Sequence, residues 1–97
     1  MSINVQVNLF GVYQRIAGKK QVHLKLKKHS TIKSVLVKLA EKVSEDFEQV
    51  LIDTQNEETR PKALILVNGK EISVLQGLET KINQSEELTL IPMVHGG

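Results

Sequence analysis

The last two residues of the sequence, Gly96 and Gly97, are the ones whose type and position most directly suggest chemistry. At an average glycine usage of about 7%, a terminal Gly-Gly pair occurs in roughly one chain in 200. Glycine has no side chain and permits almost any backbone angle, so such a tail is thin enough to enter a narrow site. From Pro92 to Gly97 the tail would reach roughly 20 Å at about 3.3 Å per residue. The simpler interpretation is a frayed terminus with no role.

The other polar residues do not form a recognisable site. His23 and His29 match no known spacing of metal ligands, so we expect no bound metal. Asp46 and Glu48 are typical of the solvated end of a helix and do not indicate an acid–base pair. The sequence contains no cysteine, so any thiol or sulfur chemistry would need a cysteine on a partner protein.

The composition indicates one globular domain of 97 residues, with 40% apolar and 25% charged side chains. The aromatic residues are only Phe10, Tyr13 and Phe47, so the core is expected to be aliphatic. No apolar run approaches the roughly 20 residues of a membrane span, and the first residues do not resemble a signal peptide. We therefore expect a cytoplasmic protein without a membrane partner.

Lysines cluster in residues 19–28, although the formal net charge is only +2. Such a cluster could meet an acidic partner. The lysines are not interleaved with stacking aromatic residues, so we expect no nucleic acid partner. A solvated face, or a sheet edge kept soluble by lysine, explains the cluster more simply.

The pattern of apolar residues predicts the elements that carry the tail. Strict alternation predicts strands at 3–9 and 21–26, with residues 10–20 as a connecting loop because Gly11 and Gly18 break the pattern. An apolar stripe at 32–43 predicts the main helix, with Ser30 or Thr31 as its cap. Ser44 is the expected cap of a second, short helix.

The second half of the chain is predicted to consist of strands joined by turns. Residues 53–61 are predicted to form a loop. The apolar run 63–67 predicts a strand that ends at the hairpin signal Asn68-Gly69. An irregular return with a short helical turn follows. A last strand then runs through 87–94, with Pro92 marking where its pairing falters.

This order of elements predicts an α+β protein with a β-grasp fold. We expect a mixed sheet of four to five strands packed on one main helix, with the first and last strands side by side and parallel. The domain would span 1–93, and a flexible Gly-Gly tail would span 94–97. The predicted core comprises Val5, Val7, Val22, Leu24, Val35, Leu36, Leu39, Ile65 and Leu90.

Several stretches, taken in order, resemble the ubiquitin-like sulfur carriers and modifiers. This superfamily includes the small subunit of molybdopterin synthase, the thiamine-pathway sulfur carrier, the ubiquitin-related modifier and the small archaeal modifier proteins. The stretches are "VNLFG" with "IAGKK", "STIKSVLVKLAEK", "TRPKALILVNGKEI" and "LETKINQSEELTLIPMVHGG". The resemblance covers essentially the whole chain and is weakest in the middle loop.

The resemblance implies that Gly97, preceded by Gly96, is the activated residue of a carrier that is not itself an enzyme. Its carboxylate, with a pKa near 3.5, is ionised at neutral pH and would attack the α-phosphate of ATP in an E1-like adenylating enzyme. A sulfurtransferase persulfide would convert the adenylate to a thiocarboxylate, or a lysine of a target protein would take it as an isopeptide bond. ATP would be the partner's, so the protein itself needs no cofactor.

Two alternatives to this function stay open. The protein could be the small subunit of molybdopterin synthase, inserting its tail into the large subunit and donating sulfur there. It could also be a plain β-grasp interaction domain with incidental glycines. The candidate partner-binding residues are Phe10, Leu66, Leu90, Met93 and His95. Phe10 is otherwise a core filler and His95 an exposed tail residue, and we expect a monomer when the protein is free.

Overall fold

A computed structural model describes residues 1–53, 60–61 and 63–92. Its strands are β1 (Ser2–Leu9), β2 (Gln21–Lys27), β3 (Ser30–Thr31), β4 (Ile52–Asp53), β5 (Arg60–Pro61), β6 (Ala63–Val67), β7 (Lys70–Glu71), β8 (Lys81–Ile82) and β9 (Glu86–Pro92). Its helices are α1 (Gly11–Ala17), α2 (Ile32–Val43) and α3 (Glu45–Leu51), and two 3₁₀ turns follow at Ile72–Val74 and Gly77–Glu79.

Five strands form the main sheet, in the order β2-β1-β9-β6-β7. Strand β1 pairs antiparallel with β2 and parallel with β9, and β6 pairs antiparallel with β9 and β7. The first and last strands therefore lie side by side and parallel, as the sequence predicted. Two short pairings, β3 with β8 and β4 with β5, stand outside this sheet.

The core lies between one face of the sheet and helix α2. All nine residues predicted for the core are buried, because the alternating strand residues and the helical stripe face each other. Helix α2 begins where the Ser34 N–H donates to Thr31 Oγ1 at 3.2 Å, and α3 begins where the Phe47 N–H donates to Ser44 Oγ at 3.2 Å. These are the N-caps that the sequence suggested.

The region 10–20 differs from its prediction, because it contains helix α1 instead of a loop. Val12, Ile16 and Ala17 pack against the core, and Tyr13 is 1% exposed. Its ring centroid lies 5.7 Å from that of Phe47 on α3. The prediction was wrong because Gly11 and Gly18 were interpreted as breaks in a pattern, whereas they are the boundaries of a short helix.

The turn at Asn68-Gly69 is the hairpin that its sequence predicts. Both residues have positive φ, +49° and +87°, and Val67 pairs directly with Lys70. Positive φ at both central positions is the type I′ arrangement, whose twist matches that of the flanking strands.

Among the helices of the described ranges, none has the length and apolar character that a membrane crossing requires.

Candidate functional site

The site begins at the carboxyl end of β9, the third of five strands and so the centre of the sheet. On one side Leu90 pairs with Leu9, and on the other side Pro92 pairs with Ala63. Strand β9 ends at Pro92. The residues predicted to do the chemistry, Gly96 and Gly97, lie outside the described residues, as do Met93 and His95. Their roles, and the predicted flexible tail, stay predictions.

The start of helix α1 packs directly against the end of β9. The Phe10 N–H donates to the Leu90 carbonyl at 3.2 Å, which extends the pairing of the two parallel strands by one residue. Gly11 has a φ of +57°, and a Cβ placed on it would lie 2.7 Å from Pro92 Cγ. A real Cβ cannot approach so closely, so this contact requires glycine. Gly11 and Pro92 together define the base of the C-terminal segment.

The outer face of the sheet carries a group of apolar residues beside this base. The outer-face patch consists of Phe10, Leu64, Leu66 and Ile91. Leu64 pairs with Ile91 and Leu66 pairs with Thr89, and the hydrogen bond from Phe10 to Leu90 places Phe10 in the row of Ile91. Phe10 is 49% exposed, and the other three are partly exposed. An exposed apolar patch near a functional segment is a typical protein contact surface.

The predicted partner-binding role of Leu90 is wrong. Leu90 is fully buried and pairs with Ile65, so its side chain points into the core. Leu64 and Ile91 were not predicted as partner-binding residues, but the structure places both on the outer face. Side chains alternate between the two faces along a strand. Since Leu90 and Ile65 were assigned to the core, their neighbours Ile91 and Leu64 could have been assigned to the outer face.

A groove of about 320 Å³ lies beside Phe10. It is lined by Asn8, Leu9, Phe10, Gln14, Lys20 and Gln21. Apart from Leu9 and Phe10 these side chains are polar, so the groove combines one exposed aromatic ring with hydrogen-bonding groups. Protein interfaces commonly combine an apolar centre with a polar rim in this way.

Among the described side chains, the pKa is shifted at Tyr13, Glu71 and Glu86. Burial raises the pKa of Tyr13 to about 12, so its ring serves as a neutral packing element between α1 and α3. Partial burial raises the pKa of Glu86 at the other end of β9. Hydrogen bonds from the Ser73 backbone N–H and hydroxyl lower the pKa of Glu71. Within the described ranges, His, Cys, Asp and Glu side chains form no group of three that could hold a metal.

A mixed sheet that wraps one main helix, with its last strand central and parallel to its first, defines a ubiquitin-like β-grasp protein. The chain belongs to the Urm1 (ubiquitin related modifier) family, whose sequence model matches residues 4–97. The match includes both the described domain and the Gly-Gly segment.

The relatives fit this assignment. The chain is 30% identical over 67 residues to a candidate sulfur carrier protein of Archaeoglobus fulgidus, covering 69% of this chain and 74% of the relative. It is 22% identical over 95 residues to the small archaeal modifier protein 3 of Haloferax volcanii, covering 98% and 100% of the two chains. The solution structure of the small archaeal modifier protein 1 of Methanosarcina acetivorans matches with a TM-score of 0.82 at 28% identity, covering 100% of this chain and 99% of the other.

The family and the relatives place the chain among the ubiquitin-like modifiers and sulfur carriers. This agrees with the resemblance that the sequence motifs indicated. The alternative of a molybdopterin synthase small subunit belongs to the same superfamily but gains no stronger support.

Proposed function

We propose that the carboxylate of Gly97 is adenylated by an E1-like enzyme, and that the protein is the substrate of this reaction and not its catalyst. The observation that carries the proposal is the position of β9, which is central, parallel to β1 and ends beside the exposed outer-face patch. The match of the family model through residue 97 supports it. A β-grasp domain so built can be held by its sheet while its C-terminal segment enters an active site.

The first step forms an acyl-phosphate bond and breaks a phosphoanhydride bond. A carboxylate oxygen of Gly97 attacks the α-phosphorus of ATP, and pyrophosphate leaves. The resulting acyl-adenylate has AMP as a good leaving group, so an unreactive carboxylate has become an electrophile. The partner enzyme would supply the charges that stabilise the pentavalent transition state. The cytoplasm, with its ATP, is where we place this reaction.

The second step has two outcomes that share one intermediate. The outer sulfur of a partner persulfide attacks the acyl carbon and AMP leaves, after which a second thiol cleaves the S–S bond and Gly97 keeps a thiocarboxylate. Alternatively, a target lysine amine attacks the same carbon, AMP and a proton leave, and an isopeptide bond remains. Both outcomes require only that the end of the C-terminal segment be narrow, as Gly96 and Gly97 make it.

The outer-face patch is the surface by which we expect the activating enzyme to hold the domain. Phe10 is its most exposed member and lies beside the start of α1. Aromatic residues that fill a partner's pocket carry a large share of binding energy, commonly about 2 kcal/mol or more on truncation. We therefore expect Phe10→Ala to weaken binding of the enzyme about 30-fold, while the half-exposed ring contributes little to folding.

The test measures pyrophosphate release with the E1-like enzyme, ATP and this protein. Release should be stoichiometric with the protein, and mass spectrometry should locate the adenylate, thiocarboxylate or branched lysine on Gly97. A variant lacking Gly96 and Gly97, and a variant with one alanine added after Gly97, should fold normally and release none. Lys70→Gln, an exposed change on β7, is the matched control with full activity. Activation of the extended variant without trimming of its alanine would contradict the proposal.

The molybdopterin synthase alternative is separated from this one by its partner. It would predict co-purification of the protein with the synthase large subunit and thiocarboxylate turnover in that complex. Branched lysine peptides on other proteins would count against an exclusive role of that kind.

A further inference from the structure

Strand β2 forms one edge of the main sheet, and a groove of about 430 Å³ runs between this edge and helix α2. Three lysines line it, Lys25 and Lys27 from β2 and Lys38 from α2, together with serine hydroxyls that include Ser30 and Ser34. No carboxylate is among the described residues that line it. We call this feature the edge groove.

The pairing of β2 shows which of its backbone groups face the edge groove. The Leu9 N–H donates to the Lys20 carbonyl at 2.8 Å, and the Lys28 N–H donates to the Met1 carbonyl at 3.0 Å. Even-numbered residues of this strand therefore bond to β1. Backbone groups alternate in direction along an antiparallel strand, so the N–H and carbonyl groups of His23, Lys25 and Lys27 point to the free edge.

The protein's own side chains already occupy two of these three carbonyls. Lys42 Nζ donates to the His23 carbonyl at 2.8 Å, and the Ser30 hydroxyl donates to the Lys27 carbonyl at 2.6 Å. For the three N–H groups, the described part of the chain shows no acceptor. Over residues 23–27, the free edge thus presents three N–H donors and one carbonyl that accepts no hydrogen bond within the described part of the chain, that of Lys25.

The excess of N–H donors over free carbonyls at this edge decides what kind of partner fits. A neutral strand that adds to a sheet must both donate and accept at alternate residues, and among described residues 23–27 only Lys25 offers both groups. A carboxylate oxygen, in contrast, only accepts, so it matches N–H donors and lysine ammonium groups at the same time. None of the described residues that line the groove is aromatic, so these residues offer no platform on which nucleic acid bases could stack.

We propose that the edge groove binds an acidic segment of a partner protein, with carboxylates that accept from the β2 N–H groups and pair with Lys25, Lys27 and Lys38. This surface is separate from the outer-face patch and does not depend on activation at Gly97. It assigns part of the lysine cluster of residues 19–28 to a partner, whereas lysines that only keep a sheet edge soluble would bind acidic segments without any preferred position.

The test is a titration of the ¹⁵N-labelled full chain with a capped hexaglutamate peptide, followed by amide chemical shifts. The largest shifts should fall on the amides of His23, Lys25 and Lys27, and a capped hexaglutamine peptide should cause none. Raising the ionic strength from about 0.1 M to about 1 M shortens the screening length from about 10 Å to about 3 Å, so the shifts should be lost at high salt.

Two variants make the test specific. Lys25→Gln combined with Lys27→Gln should weaken hexaglutamate binding about three- to tenfold, because each exposed ion pair contributes little alone. Lys70→Gln, on the opposite edge of the sheet, removes the same charge and should leave binding unchanged. Inorganic phosphate and a single-stranded oligonucleotide serve as competing probes.

Three results would overturn the proposal. One is the absence of shifts with hexaglutamate, and another is shifts spread evenly over every lysine-rich surface, including Lys70. The third is a response of the β2 amides to phosphate or to the oligonucleotide but not to hexaglutamate, which would reassign the groove to phosphate groups.

Discussion

Replacing Gly11 by alanine tests whether α1 holds the base of the C-terminal segment. The change has two costs. Gly11 has a φ of +57°, and a left-handed conformation costs an L-residue about 1–2 kcal/mol. This cost is partly offset because alanine restricts the conformations of the unfolded chain, which stabilises the folded state by about 0.4–1 kcal/mol. The backbone alone therefore contributes a net loss of about 1 kcal/mol.

The second cost is the contact with Pro92. The new Cβ would lie 2.7 Å from Pro92 Cγ, whereas carbon atoms pack best at about 3.5–4.0 Å, so the proline must move by about 1 Å. Overpacking of this kind costs about 1–3 kcal/mol. The total loss for Gly11→Ala is then about 2–4 kcal/mol, and the displacement falls on the last residue of β9.

Gly18 offers a matched control at the other end of the same helix. Its φ of +75° imposes a similar backbone cost, but within the described part of the chain no atom beyond its own helix and chain neighbours lies within 4 Å of a Cβ placed there. Gly18→Ala should therefore cost only about 1 kcal/mol, or about 4–8 °C in Tm for a chain of this length. Urea unfolding followed by circular dichroism gives both free energies, and pyrophosphate release with the E1-like enzyme should fall further for Gly11→Ala.

The comparison has a clear refuting result. If Gly11→Ala costs no more than Gly18→Ala and is activated equally well, the contact with Pro92 does not constrain the C-terminal segment. In that case the base of the segment would be set by strand pairing with β1 and β6 alone.

Three further changes test the core, the buried tyrosine and the outer-face patch. Leu36→Ala removes a side chain that is 1% exposed and should cost about 2–5 kcal/mol in urea unfolding; a cost below about 0.5 kcal/mol would contradict the packing. Burial raises the pKa of Tyr13 from its ordinary 10.0 to about 12 in the folded protein, so the unfolded chain loses its proton first, and stability should fall above pH 10, by about 1.4 kcal/mol at pH 11. Tyr13→Phe should reduce that slope, and equal slopes would contradict the shift. Leu66→Ala should cost about 1 kcal/mol or less and weaken activation, whereas Leu90→Ala should cost about 2–5 kcal/mol; equal costs would contradict their assignment to opposite faces.

The parts of the fold that the sequence predicted are those with a repeated pattern. Strand β1 alternates over eight residues and α2 keeps one apolar stripe over twelve, so each pattern recurs often enough to identify its element. Asn68-Gly69 was equally informative because few residue pairs permit positive φ at two successive positions. The parallel pairing of β1 with β9 then followed from having one helix to cover one sheet.

Helix α1 could not be found in the same way. It has seven residues, about two turns, and an isolated helix of that length is not stable in water. Its stability comes from contacts that are distant in sequence, above all the packing of Tyr13 on Phe47. Local periodicity contains no information about such a contact, so the two flanking glycines dominated the prediction.

The same short helix links the core of the domain to the surface where the proposed chemistry begins. Tyr13 anchors α1 on its inner side, while Gly11 touches Pro92 and Phe10 stands exposed at its start. Because these residues lie within one turn of each other, α1 connects the packing of Tyr13 in the core with the base of the C-terminal segment. The close approach of Gly11 to Pro92 constrains the last residue of β9, from which the C-terminal segment starts. If Gly97 is the activated residue, as we propose, then an enzyme that holds the outer-face patch would bind the domain beside the base of the segment that reacts.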